Sequence, residues 1–223
     1  MPAGLRKFAL AVLLSLSAAG GMTAAVALPA AAQDKVIAFG DSLTQGYGLP
    51  DGDGFVPQLQ AWLKAQGHDV ALVNAGVSGD TTAGGRARID WTLGTPAQAV
   101  IVELGANDML RGLPVAQMKA NLDAILGAIS ARGLPILLIG VQAPGNYGAD
   151  YAKAFDAVYP ALAAKYHTLL IPDFFAALKA KGETPAHMQK YMQGDGLHPS
   201  PEGVKLIVAA IGPKVEDLLA EAK

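Results

Sequence analysis

Three stretches of this 223-residue chain hold side chains whose types and spacing suit acyl transfer. Gly40-Asp41-Ser42-Leu43-Thr44 offers a hydroxyl, and Gly105-Ala106-Asn107-Asp108 an uncharged amide. Asp195-Gly196-Leu197-His198-Pro199 offers a carboxylate three residues before an imidazole. A serine is a weak nucleophile until a base within hydrogen-bond reach takes its proton, and that base needs an acid to fix its tautomer. His198 is one of four histidines and alone has an acid three residues before it. On a single turn Asp195 can reach Nδ1 while Nε2 faces a serine, so Ser42, His198 and Asp195 are the candidate nucleophile, base and orienter.

Taken singly, each stretch has a plainer meaning. Gly-Asp-Ser after a strand favours turn geometry, Gly-x-Asn-Asp can cap a helix, and a histidine before proline commonly sits on the surface. Their combination is what is specific. The chain order Ser, Asp, His matches the α/β-hydrolases, but Thr44 stands where their nucleophile elbow has glycine, and their acid and base lie well apart in sequence. That fold is therefore disfavoured.

The elements that must carry these residues follow from hydropathy. Short, near-continuous apolar runs predict strands at 35–39, 69–73, 99–104, 136–140 and 168–171, as expected of strands covered on both faces. Between them, helical periodicity predicts helices at 55–65, 82–91, 115–132, 150–166 and 202–222. Gly67 follows the first of these, and Gly133 with Pro135 the third. Five βα units in one run predict an α/β fold, a three-layer α/β/α sandwich on a five-stranded parallel sheet. With the flavodoxin-like strand order 2-1-3-4-5, ligands bind where strands 1 and 3 diverge at their C-terminal ends. Ser42 follows the first of those strands and Asn107 the second.

Composition narrows the rest. With 52% hydrophobic and 16% charged residues, disorder and coiled coil are excluded. A formal net charge of −2 leaves no basic footprint for nucleic acid or an anionic membrane. There is no cysteine, hence no thiol nucleophile and no disulfide framework. At the N-terminus, Arg6 and Lys7 precede an apolar run from residue 8 to 19 and a small-residue stretch ending Ala30-Ala31-Ala32. This pattern predicts a secretory signal peptide over 1–32. The run, about 12 residues, is short of the ~20 that span a bilayer, so no stable membrane anchor is expected. Cleavage near Ala32 takes the basic count from 17 to 15 against 19 acidic residues, a net charge of −4. A periplasmic or secreted monomer is expected, with residues 33–223 as its one domain.

Gly40-Asp41-Ser42-Leu43, together with Gly79, Asn107 and His198, resembles the four-block signature of the SGNH hydrolases, also called GDSL esterases and lipases. The second block is Asn74-Ala75-Gly76-Val77-Ser78-Gly79-Asp80-Thr81, and the resemblance runs from Lys35 to the C-terminus. Residues 102–112 and 146–160 look like the bacterial thioesterase I, lysophospholipase and arylesterase branch. The resemblance implies that Ser42 is nucleophile, His198 base and Asp195 its orienter. It further implies an oxyanion hole from the Ser42 N–H, the Gly79 N–H and the Asn107 amide. Ala106 stands where related sequences often have glycine. Such a hole calls for rigid, uncharged donors set before charge develops. Glycine at 79 permits close backbone approach. It can equally be a turn before a helix capped by Asp80 or Thr81, and a helix N-terminus there would favour the same developing charge.

Glu103 falls within a predicted buried strand, where a carboxylate needs partners, and is read as structural. Asp41 and Asp108 are read as braces for their loops. His68, His167 and His187 lack metal-ligand spacing, so no metal and no cofactor are expected. Met109, Leu110, Leu113, Tyr147 in the 145–151 loop, Met188, Tyr191 and Met192 can line an acyl cleft or simply pack; the resemblance favours the cleft. The expected activity is a serine esterase acting on small acyl or aryl esters, extending to acyl thioesters and lysophospholipids. The alternatives are a carbohydrate O-deacetylase on the same fold, or a non-catalytic flavodoxin-like binding module. An inactive scaffold would not need Ser42, Asp195 and His198 all intact.

Overall fold

Short runs of Val, Ile and Leu build the centre of the molecule. The structure, a computed structural model, describes residues 34–182 and 188–222. The signal peptide expected over 1–32 and His187 lie outside the described residues. Five strands pair in parallel: β1 (Asp34–Gly40), β2 (Val70–Gly76), β3 (Ala99–Glu103), β4 (Ile136–Ile139) and β5 (Leu169–Ile171). Their order is β2-β1-β3-β4-β5, the order the sequence predicts. The three inner strands are buried on both faces along their apolar residues, which is why they read as unbroken hydrophobic runs. Edge strands β2 and β5 are largely half-buried.

The helices among the described residues are α1 (Ser42–Gln45), α2 (Phe55–Ala65), α3 (Thr82–Thr92), α4 (Ala106–Leu110) and α5 (Val115–Ser130). They continue with α6 (Ala149–Asp156), α7 (Val158–Tyr166), α8 (Ala176–Lys179) and α9 (Pro201–Glu221). Helix α2 packs on α9, while α3 packs on α5 and α5 on α7, giving two helical layers about the sheet. None of these helices is long and apolar enough to cross a membrane.

Two departures from the sequence reading have local causes. The helix expected over 150–166 is broken at Ala157 into α6 and α7. Pro160 has no N–H to give to the Asp156 carbonyl, and its ring crowds that carbonyl. The carboxylate of Asp156, the last residue of α6, accepts the Ala143 N–H at 2.9 Å. The two chemistry-bearing loops after β1 and β3, in turn, each wind into a one-turn helix, α1 and α4. The register sets Gly40 level with both Gly76 and Glu103, so the loops leaving β1, β2 and β3 share one rim.

Candidate active site

At the end of β1 the chain turns sharply, and Asp41 caps the short helix that follows. Its Oδ1 accepts the Leu43 N–H at 3.0 Å, and its carbonyl accepts the Gln45 N–H at 2.9 Å. Ser42 is thereby the first helical residue, with its side chain at the cavity edge. Gly40 has no room for a methyl group, which would run into Thr44 and the Glu103 carbonyl. The Ser42 turn therefore lies flat against β3.

His198 comes from the opposite end of the chain. Ser200 caps α9 by accepting the Gly203 N–H at 3.3 Å, and Pro201 occupies its first turn. Upstream, the Gln193 N–H donates to the His198 carbonyl at 2.7 Å, and the Ser200 N–H to the Tyr191 carbonyl at 2.8 Å. Asp195 Oδ1 accepts the N–H groups of Leu197 (2.9 Å) and His198 (3.0 Å). Its Oδ2 lies 2.6 Å from His198 Nδ1, and His198 Nε2 lies 2.8 Å from Ser42 Oγ. Burial works to raise the Asp195 carboxyl, but the histidine hydrogen bond and the two backbone N–H groups outweigh it and bring its pKa down to about 2. It stays ionised wherever a histidine can act as a base.

Gly79 and Asn107 line the same cavity as Ser42. Gly79 has φ 79°, a left-handed conformation that favours glycine, and its carbonyl accepts Arg111 Nη2 at 2.7 Å. Thr81 caps α3 just beyond, accepting the Gly84 N–H at 3.4 Å, while Asp80 pairs with Arg88 at 2.7 Å. Asn107 sits in α4, which starts after Gly105; φ there is 125°, and a methyl group would strike the Tyr159 hydroxyl. Asn107 Nδ2 donates to Asp41 Oδ2 at 3.1 Å. The arrangement brings a hydroxyl, an imidazole, a carboxylate and uncharged N–H donors to one rim, which is what acyl transfer through an oxyanion needs.

The braces take the positions expected of them. Both Asp108 oxygens bind Thr82, one its N–H at 2.8 Å and the other its hydroxyl at 2.6 Å. Glu103 is fully buried and accepts the Thr44 hydroxyl at 2.9 Å. Burial, and then the charge of Asp41, push its carboxyl well above the usual carboxylate range. Asp41, also buried, is raised to about 6 by desolvation against the opposing hydrogen bonds of Leu43, Asn107 and Glu103 and the charge of His198.

Met109, Leu110 and Met192 line a cavity of about 880 Å³, joined by Val141, Phe175 and Met188. Tyr147 does not. The tight turn at Gly145–Tyr147 and a 5.6 Å stack on Tyr151 draw its ring onto an aromatic column that continues through Phe155 to Tyr159. Leu113 and Tyr191 are likewise absent from the lining. Sequence reasoning did not single out Tyr47, whose ring lies 4.9 Å from that of His198. Nor did it single out Gln193, whose Nε2 donates to the carbonyls of Tyr47 (2.8 Å) and Pro199 (3.1 Å), or Arg111 on the Gly79 carbonyl. No sequence spacing marks these contacts, which join distant segments. Among the described residues no group of three His, Asp or Glu side chains is placed to hold a metal ion, and His68 instead pairs with Glu216 at 2.9 Å.

Residues 38–206 match the model of the GDSL-like lipase/acylhydrolase family. The chain is 39% identical to esterase TesA of Pseudomonas aeruginosa over 190 residues, 85% of this chain and 91% of that protein. It is 33% identical to thioesterase 1/protease 1/lysophospholipase L1 of Escherichia coli K12, over 85% of this chain and 87% of that one. The solved structure of AlinE4, an SGNH-hydrolase family esterase, superimposes with a TM-score of 0.68 at 41% identity, covering 86% of this chain and 99% of the other.

Proposed function

Because the chain belongs to the GDSL-like lipase/acylhydrolase family and is a serine esterase of the SGNH type, we propose that Ser42, His198 and Asp195 are its catalytic triad. The observation that carries this reading is the unbroken line from Asp195 Oδ2 through the imidazole to Ser42 Oγ, with links of 2.6 and 2.8 Å. Asp195 holds Nδ1 protonated, leaving Nε2 free to accept the serine proton. Ser42 Oγ attacks the ester carbonyl carbon as His198 takes its proton. The carbonyl oxygen becomes an oxyanion that accepts hydrogen bonds from the Ser42 N–H, the Gly79 N–H and Asn107 Nδ2. His198 then returns the proton to the departing alcohol, leaving an acyl-Ser42. Water, deprotonated by the same imidazole, releases the acid and restores the serine.

The substrate is a small acyl or aryl ester whose acyl part lies along Met109, Leu110, Met188 and Met192. The methionine-rich lining supports chains of varied length, since Met adapts to irregular apolar shapes. Acyl thioesters and lysophospholipids fit the same chemistry, and a relative carries those activities in its name. A carbohydrate O-deacetylase is the weaker reading, because Met and Leu side chains outnumber the aromatic rings, Tyr47 and Phe175, on the cavity lining. The enzyme acts as a monomer exported through the segment 1–32. A fluorophosphonate should label Ser42 and abolish hydrolysis, and a chelator should leave it intact. Labelling at another residue, or loss of activity on chelation, would sink the assignment. An ester panel graded in acyl length, set against acetyl-xylan, separates the two substrate classes.

A further inference from the structure

The proposed reaction leaves two buried carboxyls without a task. Asp41 and Glu103 are both 0% exposed, at the ends of adjacent strands β1 and β3. Burying two like charges side by side is costly, so the pair keeps one proton. The surroundings decide where it stays. Asp41 accepts hydrogen bonds from the Leu43 N–H and from Asn107 Nδ2, and lies toward His198. Glu103 accepts the Thr44 hydroxyl on Oε2 and is also favoured by the Asp41 N–H, but burial outweighs both. Its other oxygen, Oε1, is buried and accepts from no donor. An orphaned carboxyl oxygen beside a carboxylate makes sense as an O–H, whose natural acceptor is Asp41.

We propose that Glu103 and Asp41 form a hydrogen-bond relay that positions Asn107. Glu103 keeps the proton and donates it to Asp41, and the ionised Asp41, able only to accept, fixes which end of the Asn107 amide faces the oxyanion. This rests on the oxyanion role given to Asn107 above. An asparagine amide has an acceptor end and a donor end of nearly the same shape, so packing alone does not choose between them. With Asp41 accepting one Nδ2 hydrogen, the second is left for the oxyanion. A protonated Asp41 would donate to the amide oxygen of a flipped Asn107, turning a carbonyl toward developing negative charge. Keeping the proton on Glu103 prevents that. Glu103 touches neither substrate nor reacting atoms, so it is a positioning residue that acts through Asp41 and Asn107.

The test is a double-mutant cycle read in kcat, KM and melting temperature. Asp41→Asn keeps the cap on α1, since asparagine caps as well as aspartate, but puts a donor where Asn107 needs an acceptor. Asn107→Ala should lower kcat by about 10²–10³ with little change in KM. Asp41→Asn should lower kcat by at least about tenfold, again with KM nearly constant, as loss of transition-state stabilisation requires. In the double variant the Asp41 change should add no more than about threefold, because coupled residues are not additive. Glu103→Gln, neutral and still a donor toward Asp41, should recover most of the kcat that Glu103→Leu loses.

Multiplicative losses in the cycle, or a Glu103→Gln as damaging as Glu103→Leu, would overturn the relay. Should Glu103→Leu fail to fold, the cycle decides alone. If instead Asn107→Ala keeps more than about a third of wild-type kcat, far above a normal donor loss, the oxyanion assignment itself is wrong, and the two failures are told apart.

Discussion

Ser42 leaves a strand whose last five residues are buried and enters a turn that is capped, flattened on β3 and braced from behind by two carboxyls. His198 lies instead on a segment with no helix or strand of its own, tied down by the Asp195 turn, the Gln193 side chain and the cap of α9. One half of the proposed triad is held by the core, and the other by a few hydrogen bonds near solvent. The difference teaches that rate and stability should move together on the serine side, and can be separated on the histidine side by a change that spares the hydrogen bonds holding the segment. A core-held serine cannot drift. A histidine held near solvent can be altered chemically at little cost to the fold.

The sharpest way to break this comparison is Asp195→Asn. Its amide oxygen can still accept the Leu197 and His198 N–H groups, so the turn survives. Its nitrogen, however, donates toward Nδ1 and favours the tautomer that cannot take the serine proton. A fall in kcat of about 10⁴ is expected, with a melting temperature only a few degrees below wild type, as the hydrogen bonds to a charged, partly exposed carboxylate weaken. A large drop in melting temperature would show that the histidine side is core-held after all.

Gly40→Ala probes the serine side. The added methyl meets Thr44 and the Glu103 carbonyl, and overpacking of this kind costs about 1–3 kcal/mol. In a domain of this size that lowers the melting temperature by several degrees, at ~2–4 °C per kcal/mol. The shifted turn should also cost about 10² in kcat, as a displacement near 1 Å does. Activity lost with no thermal change would contradict the coupling.

Gln193→Ala removes two side-chain bonds, one joining the histidine segment to the chain leaving α1 at Tyr47 and one closing the segment on itself at Pro199. At ~1 kcal/mol net for each bond, the expected cost is about 4–8 °C in melting temperature and about tenfold in kcat. Paired with Tyr47→Ala, which uncovers the imidazole ring, it shows whether the clamp or the ring orients His198. Non-additive losses would mean that both act on one element.

The sheet was legible because β1, β3 and β4 are covered on both faces and leave unbroken apolar runs in the sequence. The pairing of Asp195 with His198 was legible because a three-residue spacing is local. Asp41 and Asp108 were legible as braces from their positions at strand ends. Tyr147 was misplaced because a loop's periodicity does not say which way a ring turns, and an aromatic column on α6 and α7 captured it. The break at Ala157 was missed although Pro160 signals it, since the flanking periodicity is continuous. The Gln193 clamp joins residues 146 apart in sequence and has no local signature. Likewise, whether Glu103 is charged depends on Asp41 and on burial, and neither is visible within strand 3 itself.

The change that should move the rate least tests the serine side through stability alone. Glu103 is pushed well above the usual carboxylate range by burial and then by Asp41, while in the unfolded chain it titrates near its ordinary value of 4.5. Thr44, Asp41 and the Tyr159 ring on α7 are the polar groups that face it, and none of them is a cation. Below pH ~4.5 both states hold the proton, and pH has no effect through this group. Above it the unfolded chain releases the proton and the folded chain keeps it, so folding stability falls as pH rises, by up to about 1.4 kcal/mol per unit. Asp41, raised to about 6, adds to the fall from its ordinary 3.8 up to about pH 6 and then no more. Glu103→Gln removes the first contribution and keeps the second. The variant should therefore gain on wild type steadily from pH 5 to pH 7, by ~3–5 °C of melting temperature per unit at most. A difference that stays flat over that range would mean that Glu103 is already ionised in the folded protein. The serine turn would then be braced by two charges rather than by one charge and one proton.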